Sequence, residues 1–335
     1  KGNINQAITL FTEITTEDPS YQEAKANLAL AFRNIGNVEG SLNTYKKINF
    51  QGSWSLKAIF NYSITLIASE SFEEGWKNYE YRWNVFPMNK VTWLFKDKVV
   101  WKGERGTRVV LWKEQGIGDQ IIFLGLALEV KEMCKTLSVY VDSRLAPLCR
   151  RAMPGINFVK DKEELKNVEC DYHIPLGSVP GLLRNDMRDF DRTVKGYLKA
   201  DPKRVEAIRR ELTLEGKTAI GISWRSFNSL NKTKKSIQLR DMERLFSGLD
   251  VVLVNLQYGD VDDEIREFKD ATGIEVMQCA SVDNREDLDG LAALIEVCDL
   301  VVSTSNVTVH LAGALAKETW VLLHYVSIYF WLVER

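Results

Sequence analysis

The sequence predicts an all-helical N-terminal region joined to an α/β body of two lobes, each built on a parallel sheet. Three observations predict it: a 34-residue period in the first part of the chain, a strand, glycine loop, helix, strand succession over 107–141, and a second succession of that kind restarting at Thr218. A chain of 335 residues also exceeds one ordinary core, so several domains are expected.

Gly2, Gly36 and Glu70 are spaced by 34, as are Ala7, Ser41 and Gly75, and Phe11, Tyr45 and Tyr79. Leu28 and Tyr62, and Phe32 and Leu66, share that offset, while Pro19 and Pro87 stand two periods apart where helices should end. A helix pair cannot bury its apolar stripe alone, and stacking pairs supplies the missing surface. Small residues let two helices cross closely, and the aromatic fills the gap beside them. The columns agree in residue size as well as spacing, which disfavours an unrelated bundle repeating by chance. The pattern resembles the tetratricopeptide repeat, and that resemblance implies a groove for a peptide or partner protein. The chain opens on the second half of a repeat unit, so further residues are expected upstream.

Composition narrows the function classes. Charged residues are 27% and apolar residues 45%, as in a soluble globular protein. A net charge of −2 argues against a broad nucleic-acid surface. Five scattered cysteines without CxxC spacing suggest neither a disulfide framework nor zinc, and a reducing cytoplasm is expected. The three histidines, His173, His310 and His324, share no metal-ligand spacing, so no metal is expected. No apolar run approaches the roughly 18 residues of a membrane helix, and no signal peptide is visible.

A Trp-rich stretch with Trp93 and Trp101 interrupts the helical spacing between Pro87 and Gly106. A β-branched run over 107–113 follows, then the loop Glu114-Gln115-Gly116-Ile117-Gly118-Asp119, helical spacing over 120–135 and a second strand over 137–141. Such a βαβ unit has its ligand crevice at the carboxyl ends of the strands. Glycines there allow close backbone approach, but the third glycine of a dinucleotide fingerprint is missing, which disfavours a hydride-transfer enzyme.

The longer string Trp101-Lys102-Gly103-Glu104 with Leu111-Trp112-Lys113 and the glycine loop is more specific. It resembles bacterial proteins in which tetratricopeptide repeats precede a glycosyltransferase body similar to the lipopolysaccharide heptosyltransferases and, more distantly, to protein O-GlcNAc transferases. Phe72-Glu73-Glu74-Gly75-Trp76, Tyr81-Arg82-Trp83 and Pro175-Leu176-Gly177-Ser178-Val179-Pro180 belong to the same pattern, so the resemblance spans nearly the whole chain. It implies two facing Rossmann-like lobes, the GT-B architecture, with a nucleotide sugar as substrate and no cofactor. It also implies that Asp119 is the general base that deprotonates an acceptor hydroxyl, with Gln115, Gly116 and Gly118 forming the acceptor-side loop. The alternative reading of the residues is that Asp119 caps a helix starting at Gln120.

After a polar helical stretch near 201–215, strands are expected at 218–224, 250–256, 274–277, 299–303 and 318–323, alternating with helices at 239–246, 262–271 and 287–297. Arg225 and the cations Lys232, Lys234 and Lys235 follow the first of these strands, a placement suited to a diphosphate. Arg225 and Lys235 are the favoured phosphate ligands, against a merely solvated basic loop. Val301-Val302-Ser303-Thr304-Ser305-Asn306-Val307-Thr308-Val309-His310 then turns a strand into a helix. That turn offers N–H groups and the side chains of Ser305, Asn306, Thr308 and His310 to an anion. For His310 a hydrogen-bonded core role is the competing reading, and His173 and His324 are read as structural.

The resulting organisation is repeats over 1–86, a Trp-rich connector over 87–106, an acceptor-side lobe over 107–199, an interlobe segment over 200–217 and a donor-side lobe over 218–335, expected to be truncated. The expected function is metal-independent, inverting transfer of a hexosyl or heptosyl group from a nucleotide sugar to a hydroxyl, the acceptor being a protein docked on the repeats. Two departures favour the alternative, a catalytically inactive scaffold: Ser305 stands where the similar heptosyltransferases place an acid, and Ile328-Tyr329-Phe330 where repeat-bearing relatives have Asp-Trp-Arg.

Overall fold

The structure is a computed structural model that describes residues 3–323 apart from 53, 86, 92, 96, 193–195, 215 and 227–235. These fall into two compact units, one built from 1–98 with 177–193, the other from 99–176 with 194–323.

The first unit opens with α1 (Ile4–Glu17), α2 (Gln22–Asn34), α3 (Val38–Tyr45), α4 (Trp54–Ala68) and α5 (Phe72–Tyr79), each packed on the next. The 34-residue columns mark equivalent positions. Helices α2 and α4 end in the same left-handed turn, at Gly36 with φ 80° and at Glu70 with φ 63°. In both, the turn residue donates to the carbonyl three back, Arg33 or Ile67, and the next residue donates to Phe32 or Leu66, so the orphan carbonyls of the helix end are satisfied. Glycine enters that region without strain and glutamate does not. Glu70→Gly is therefore expected to stabilise the protein by about 0.5–1 kcal/mol, read as a higher urea midpoint; an unchanged or lower midpoint contradicts it.

The small-residue column lies at helix crossings. A Cβ on Gly75 would come 2.7 Å from Ile67 Cγ1 and 3.2 Å from the Ile67 backbone nitrogen. Ser41 is fully buried, with its hydroxyl 3.2 Å from that of Thr65. Tyr45 and Tyr79, one period apart, are both buried beside these crossings. In α1 the matching Ala7 and Phe11 are only half-buried.

In the second unit, β1 (Val99–Val100), β2 (Arg108–Trp112), β3 (Thr136–Tyr140), β4 (Asn157–Val159) and β5 (Tyr172–Pro175) form a parallel sheet in the order β1-β5-β2-β3-β4. The second half of the Trp-rich stretch thus joins this sheet: β1 pairs with β5, and buried Trp101 donates from its backbone to the His173 carbonyl at 2.8 Å. Buried Trp112 donates its indole N–H to His173 Nδ1 at 3.0 Å, which gives His173 a structural part across β2 and β5.

The helices are α6 (Ile117–Leu124), α7 (Ala127–Met133), α8 (Ala146–Ala152) and α9 (Lys162–Lys166). The single helix expected over 120–135 is two helices, broken at Gly125 and Leu126. The Tyr197 ring lies against Gly125, where a Cβ would be 3.2 Å from Cε1, and the Tyr197 hydroxyl donates to the Ile121 carbonyl. Past β5 the chain rejoins the first unit through α10 (Pro180–Leu183). There the Trp76 indole donates to the Arg184 carbonyl at 2.7 Å, and buried Arg82 donates to Ser178 Oγ at 2.7 Å. Residues 177–192, placed by sequence order with the acceptor-side lobe, are held by these side chains of α5 and the turn after it.

The remaining elements are α11 (Pro202–Glu211), β6 (Ala219–Ser223), α12 (Glu243–Phe246), β7 (Val252–Asn255), α13 (Asp262–Thr272), β8 (Val276–Met277), α14 (Leu288–Glu296), β9 (Leu300–Thr304), α15 (Val307–Ala314) and β10 (Thr319–Leu322). Their strands form a second parallel sheet in the order β10-β9-β6-β7-β8. Central β6 is buried throughout, as a strand covered on both faces must be. Among the described residues no helix is long and apolar enough to cross a membrane.

Candidate functional site

The glycine turn follows β2. Helix α6 starts at Ile117, not at Gln120, and its N-cap is Gly116. Asp119 is consequently the third residue of the helix, with Oδ2 folded back to 3.3 Å from the position of a Gly116 Cβ. The alternative reading, in which Asp119 caps a helix starting at Gln120, is corrected, because the last residue with extended backbone is Gly116. A carboxylate in the first turn still benefits from the partial positive charge there. Asp119 is half-buried and Gln115 lies on the same loop.

The second turn, after β9, meets the first. Helices α6 and α15 pack together, and a Cβ on Gly118 would lie 3.1 Å from His310 Cδ2. Glycine is what lets the imidazole approach that closely. Gly118 and His310, predicted from separate motifs, are thus brought into contact.

The other donor-side residues are more structural than the sequence reading made them. Asn306 is the N-cap of α15: Oδ1 accepts from Thr308 N at 3.0 Å, while Nδ2 donates to Ser223 Oγ at 2.7 Å and to the Arg225 carbonyl at 3.3 Å. Thr308 is fully buried, with Oγ1 3.4 Å from the Leu256 carbonyl, and Ser305 is buried beside it. Arg225 Nη1 pairs with Glu264 of α13 and Nη2 donates to the Asp260 carbonyl at 2.8 Å. Its guanidinium is committed within the lobe rather than held out for a phosphate. Lys232, Lys234, Lys235, His324 and Ile328-Tyr329-Phe330 lie outside the described residues.

A cavity of about 670 Å³ opens at the carboxyl ends of β7 and β8, within the size range of ligand pockets. Asn255, Gln257, Gln278, Ser281, Asp283 and Asn284 supply most of its polar groups, and sequence reasoning missed them. They come from two segments, at the end of β7 and after β8, without a shared motif; the only signal was their position at the ends of strands. Gln257 joins the cavity to the predicted residues. Its Oε1 accepts from Ser223 Oγ at 3.0 Å, Trp224 N at 2.9 Å and Arg225 N at 2.8 Å. Asn284 Nδ2 donates to the Asn255 and Gln257 carbonyls, and its buried Oδ1 has no hydrogen-bond partner among the described residues. Among the described residues no group of three or more His, Cys, Asp or Glu could hold a metal ion.

No protein-family model matches the chain. It is 28% identical to protein FlbA of Caulobacter vibrioides over 344 residues, covering 96% of this chain and 57% of FlbA. The chain therefore spans little more than half the length of that relative. Among solved structures, the glycosyl transferase family 9 protein of Veillonella parvula aligns with a TM-score of 0.51 at 11% identity, covering 68% of this chain and 83% of its own. The ADP-heptose lps heptosyltransferase II of E. coli gives a TM-score of 0.49 at 11% identity, with coverages of 64% and 84%. The chain has a GT-B-like fold. At such identity the likeness to the Veillonella structure concerns the fold alone.

In this body two carboxylates are paired with arginines: Asp142, after β3, with Arg144, and Asp287, at the start of α14, with Arg204 of α11. Burial raises the Asp142 carboxyl, but hydrogen bonds and charge from Arg144, with Lys113 nearby, outweigh it and hold the group below its ordinary 3.8. Lys113 is lowered, first by burial. Asp287 is likewise held below 3.8: burial raises it, but the hydrogen bonds of Arg204 and of Gly290 N–H, with the Arg204 charge, outweigh that. A carboxylate depressed on folding contributes stability above its unfolded pKa and loses it as pH falls through the folded value. The melting temperature is therefore expected to hold near pH 5 and fall below about pH 4, with a shallower fall in Arg204→Gln. Calorimetry showing a flat profile down to pH 2.5, about 1.4 units below Asp's ordinary pKa, contradicts this.

Proposed function

We propose that the chain carries the body of a nucleotide-sugar-dependent glycosyltransferase. The observation that carries this reading is the GT-B-like body in which the Asp119 turn and the His310 turn touch, with an amide-rich cavity at the strand ends of the second lobe. The nucleoside is assigned to the cavity, where Asn284 Oδ1 supplies an acceptor with no hydrogen-bond partner among the described residues. The diphosphate is assigned to the start of α15 with Lys235, and Asp119 to removal of the acceptor proton. The transfer is proposed to be inverting and metal-independent, and the acceptor to be a protein held by the N-terminal helices read as tetratricopeptide repeats.

Binding of ligand to the native state must raise its melting temperature. ADP, GDP, UDP and CDP, and the corresponding nucleotide sugars, are each to be added at millimolar concentration. At least one is expected to raise the melting temperature by several degrees, and no rise with any of them removes the reading. A non-catalytic binding module is favoured by one observation, the commitment of Arg225 to Glu264 and Asp260. Sugar transfer to a purified partner by the intact protein, lost in Asp119→Ala, excludes that alternative.

A further inference from the structure

The loop that walls the cavity also reaches the first lobe. Asp283 Oδ1 accepts from Arg285 N at 2.8 Å and Glu286 N at 3.0 Å, which folds the loop into a tight turn. At its far end Asp287 caps α14 and is paired with Arg204, so that end is anchored. Between these points the contact is made by Arg144, which follows β3. Its Nη1 donates to the Arg285 carbonyl at 3.1 Å and lies 3.6 Å from Glu286 Oε2. Its Nε donates to Asp142 Oδ1 at 2.9 Å and Nη2 to Oδ2 at 3.3 Å.

The connection continues into the glycine turn. Asp142 N–H donates to Gln120 Oε1 at 2.9 Å, and Gln120 Nε2 donates to the Gln115 carbonyl at 3.2 Å. Gln120 is buried, 4% exposed, and directly follows Asp119. An amide held at both its oxygen and its nitrogen cannot rotate without breaking one bond, and a buried bond left unmade is costly. A guanidinium fork likewise fixes the separation of the two groups it spans. A continuous run of hydrogen bonds therefore leads from the cavity wall to the loop that presents Asp119.

We infer that Arg144 and Gln120 are positioning residues that couple filling of the cavity by a nucleoside diphosphate to the placement of the Asp119 turn. The inference rests on the transferase reading. A ligand seated against residues 283–285 moves or stiffens a loop whose end at Asp287 is fixed, and the displacement is passed to Arg144. Neither residue touches the reacting atoms. Their effect is expected on the catalytic rate constant rather than on nucleotide affinity.

The test is amide hydrogen exchange of the whole protein, with and without saturating amounts of whichever of ADP, GDP, UDP or CDP gives the largest thermal shift. In the wild type, nucleotide is expected to slow exchange roughly tenfold both at 281–287 and at 115–120. Arg144→Lys keeps a charge for Asp142 but cannot also span to the Arg285 carbonyl. This variant should keep nucleotide protection at 281–287 and lose it at 115–120. Gln120→Met should do the same, and the double variant should lose no more than either single change. The melting temperature of each variant reports folding independently.

Nucleotide protection at 115–120 that survives in Arg144→Lys overturns the inference, as does faster exchange spread evenly over the whole lobe. Protection of 281–287 alone in the wild type also overturns it while leaving the transferase reading intact. Absence of protection at both segments with every nucleotide removes the reading and the inference together.

Discussion

Asp119→Ala is expected to lower the rate of sugar transfer by about 10²- to 10⁴-fold, the usual contribution of a positioned general base, while leaving nucleotide affinity unchanged. The side chain is half-buried in the first turn of α6, next to the contact of Gly118 with His310. Gly116 is the cap, so the first turn of α6 keeps its cap in the variant, and the carboxylate's interaction with the helix terminus is worth about 0.3–1 kcal/mol. A large loss of rate with a small loss of stability is the signature of chemistry at this position. The opposite result, transfer within about threefold of wild type, is too small for a lost general base and removes Asp119 from that role. The measurement is single-turnover transfer from the nucleotide sugar that raises the melting temperature most.

Gln257→Met is expected to cost at least about 3 kcal/mol of stability, from about 1–3 kcal/mol for each of the donors left without an acceptor. One oxygen of this side chain, which is 1% exposed, receives Ser223 Oγ, Trp224 N and Arg225 N. Past the end of β6 these donors have run out of sheet, and Gln257 stands in for the missing strand. Methionine keeps the volume and withdraws the acceptor. Gln257→Glu keeps an acceptor oxygen at that point and is expected to lose less. Equilibrium urea unfolding separates the two, and equal losses refute the account. Because the same residue lines the cavity, Gln257→Met should also abolish any nucleotide-induced thermal shift.

Which parts of the fold could be read in advance follows from how each is stabilised. The central strands β2, β3, β6, β7 and β9 lie between neighbours and bury nearly every side chain, so their sequences are mostly apolar. The strands β1, β4 and β5 are two to four residues long and were not assigned. Their extended form comes from pairing with partners far along the chain, as Val99 does with Tyr172, and no local pattern encodes that. Leu239 to Phe246 was expected as one helix, yet its first turn is 3₁₀ over Leu239–Met242. The local spacing fixed the apolar face and left the winding open.

The candidate site divides in the same way. The glycine turn and the start of α15 were visible because each is a contiguous string at the end of a strand. Arg225 shows the limit of that logic. Its place after β6 was foreseen, but its partner Glu264 lies on α13 and claims the charge. The relation of Asn306 to Ser223, and of Gln257 to three donors at once, also joins residues more than thirty apart.

By itself the sequence determined the helical period, the alternation of strands and helices, and the two turns from which chemistry is proposed, because each depends on neighbours within one turn or one strand. Only the tertiary structure decided that Gly118 and His310 touch, that Arg225 is spent on Glu264, and that a cavity lies at the ends of β7 and β8. Those outcomes depend on which distant loops share a sheet edge, and a buried hydrogen bond or ion pair goes to whichever partner the packing brings within reach.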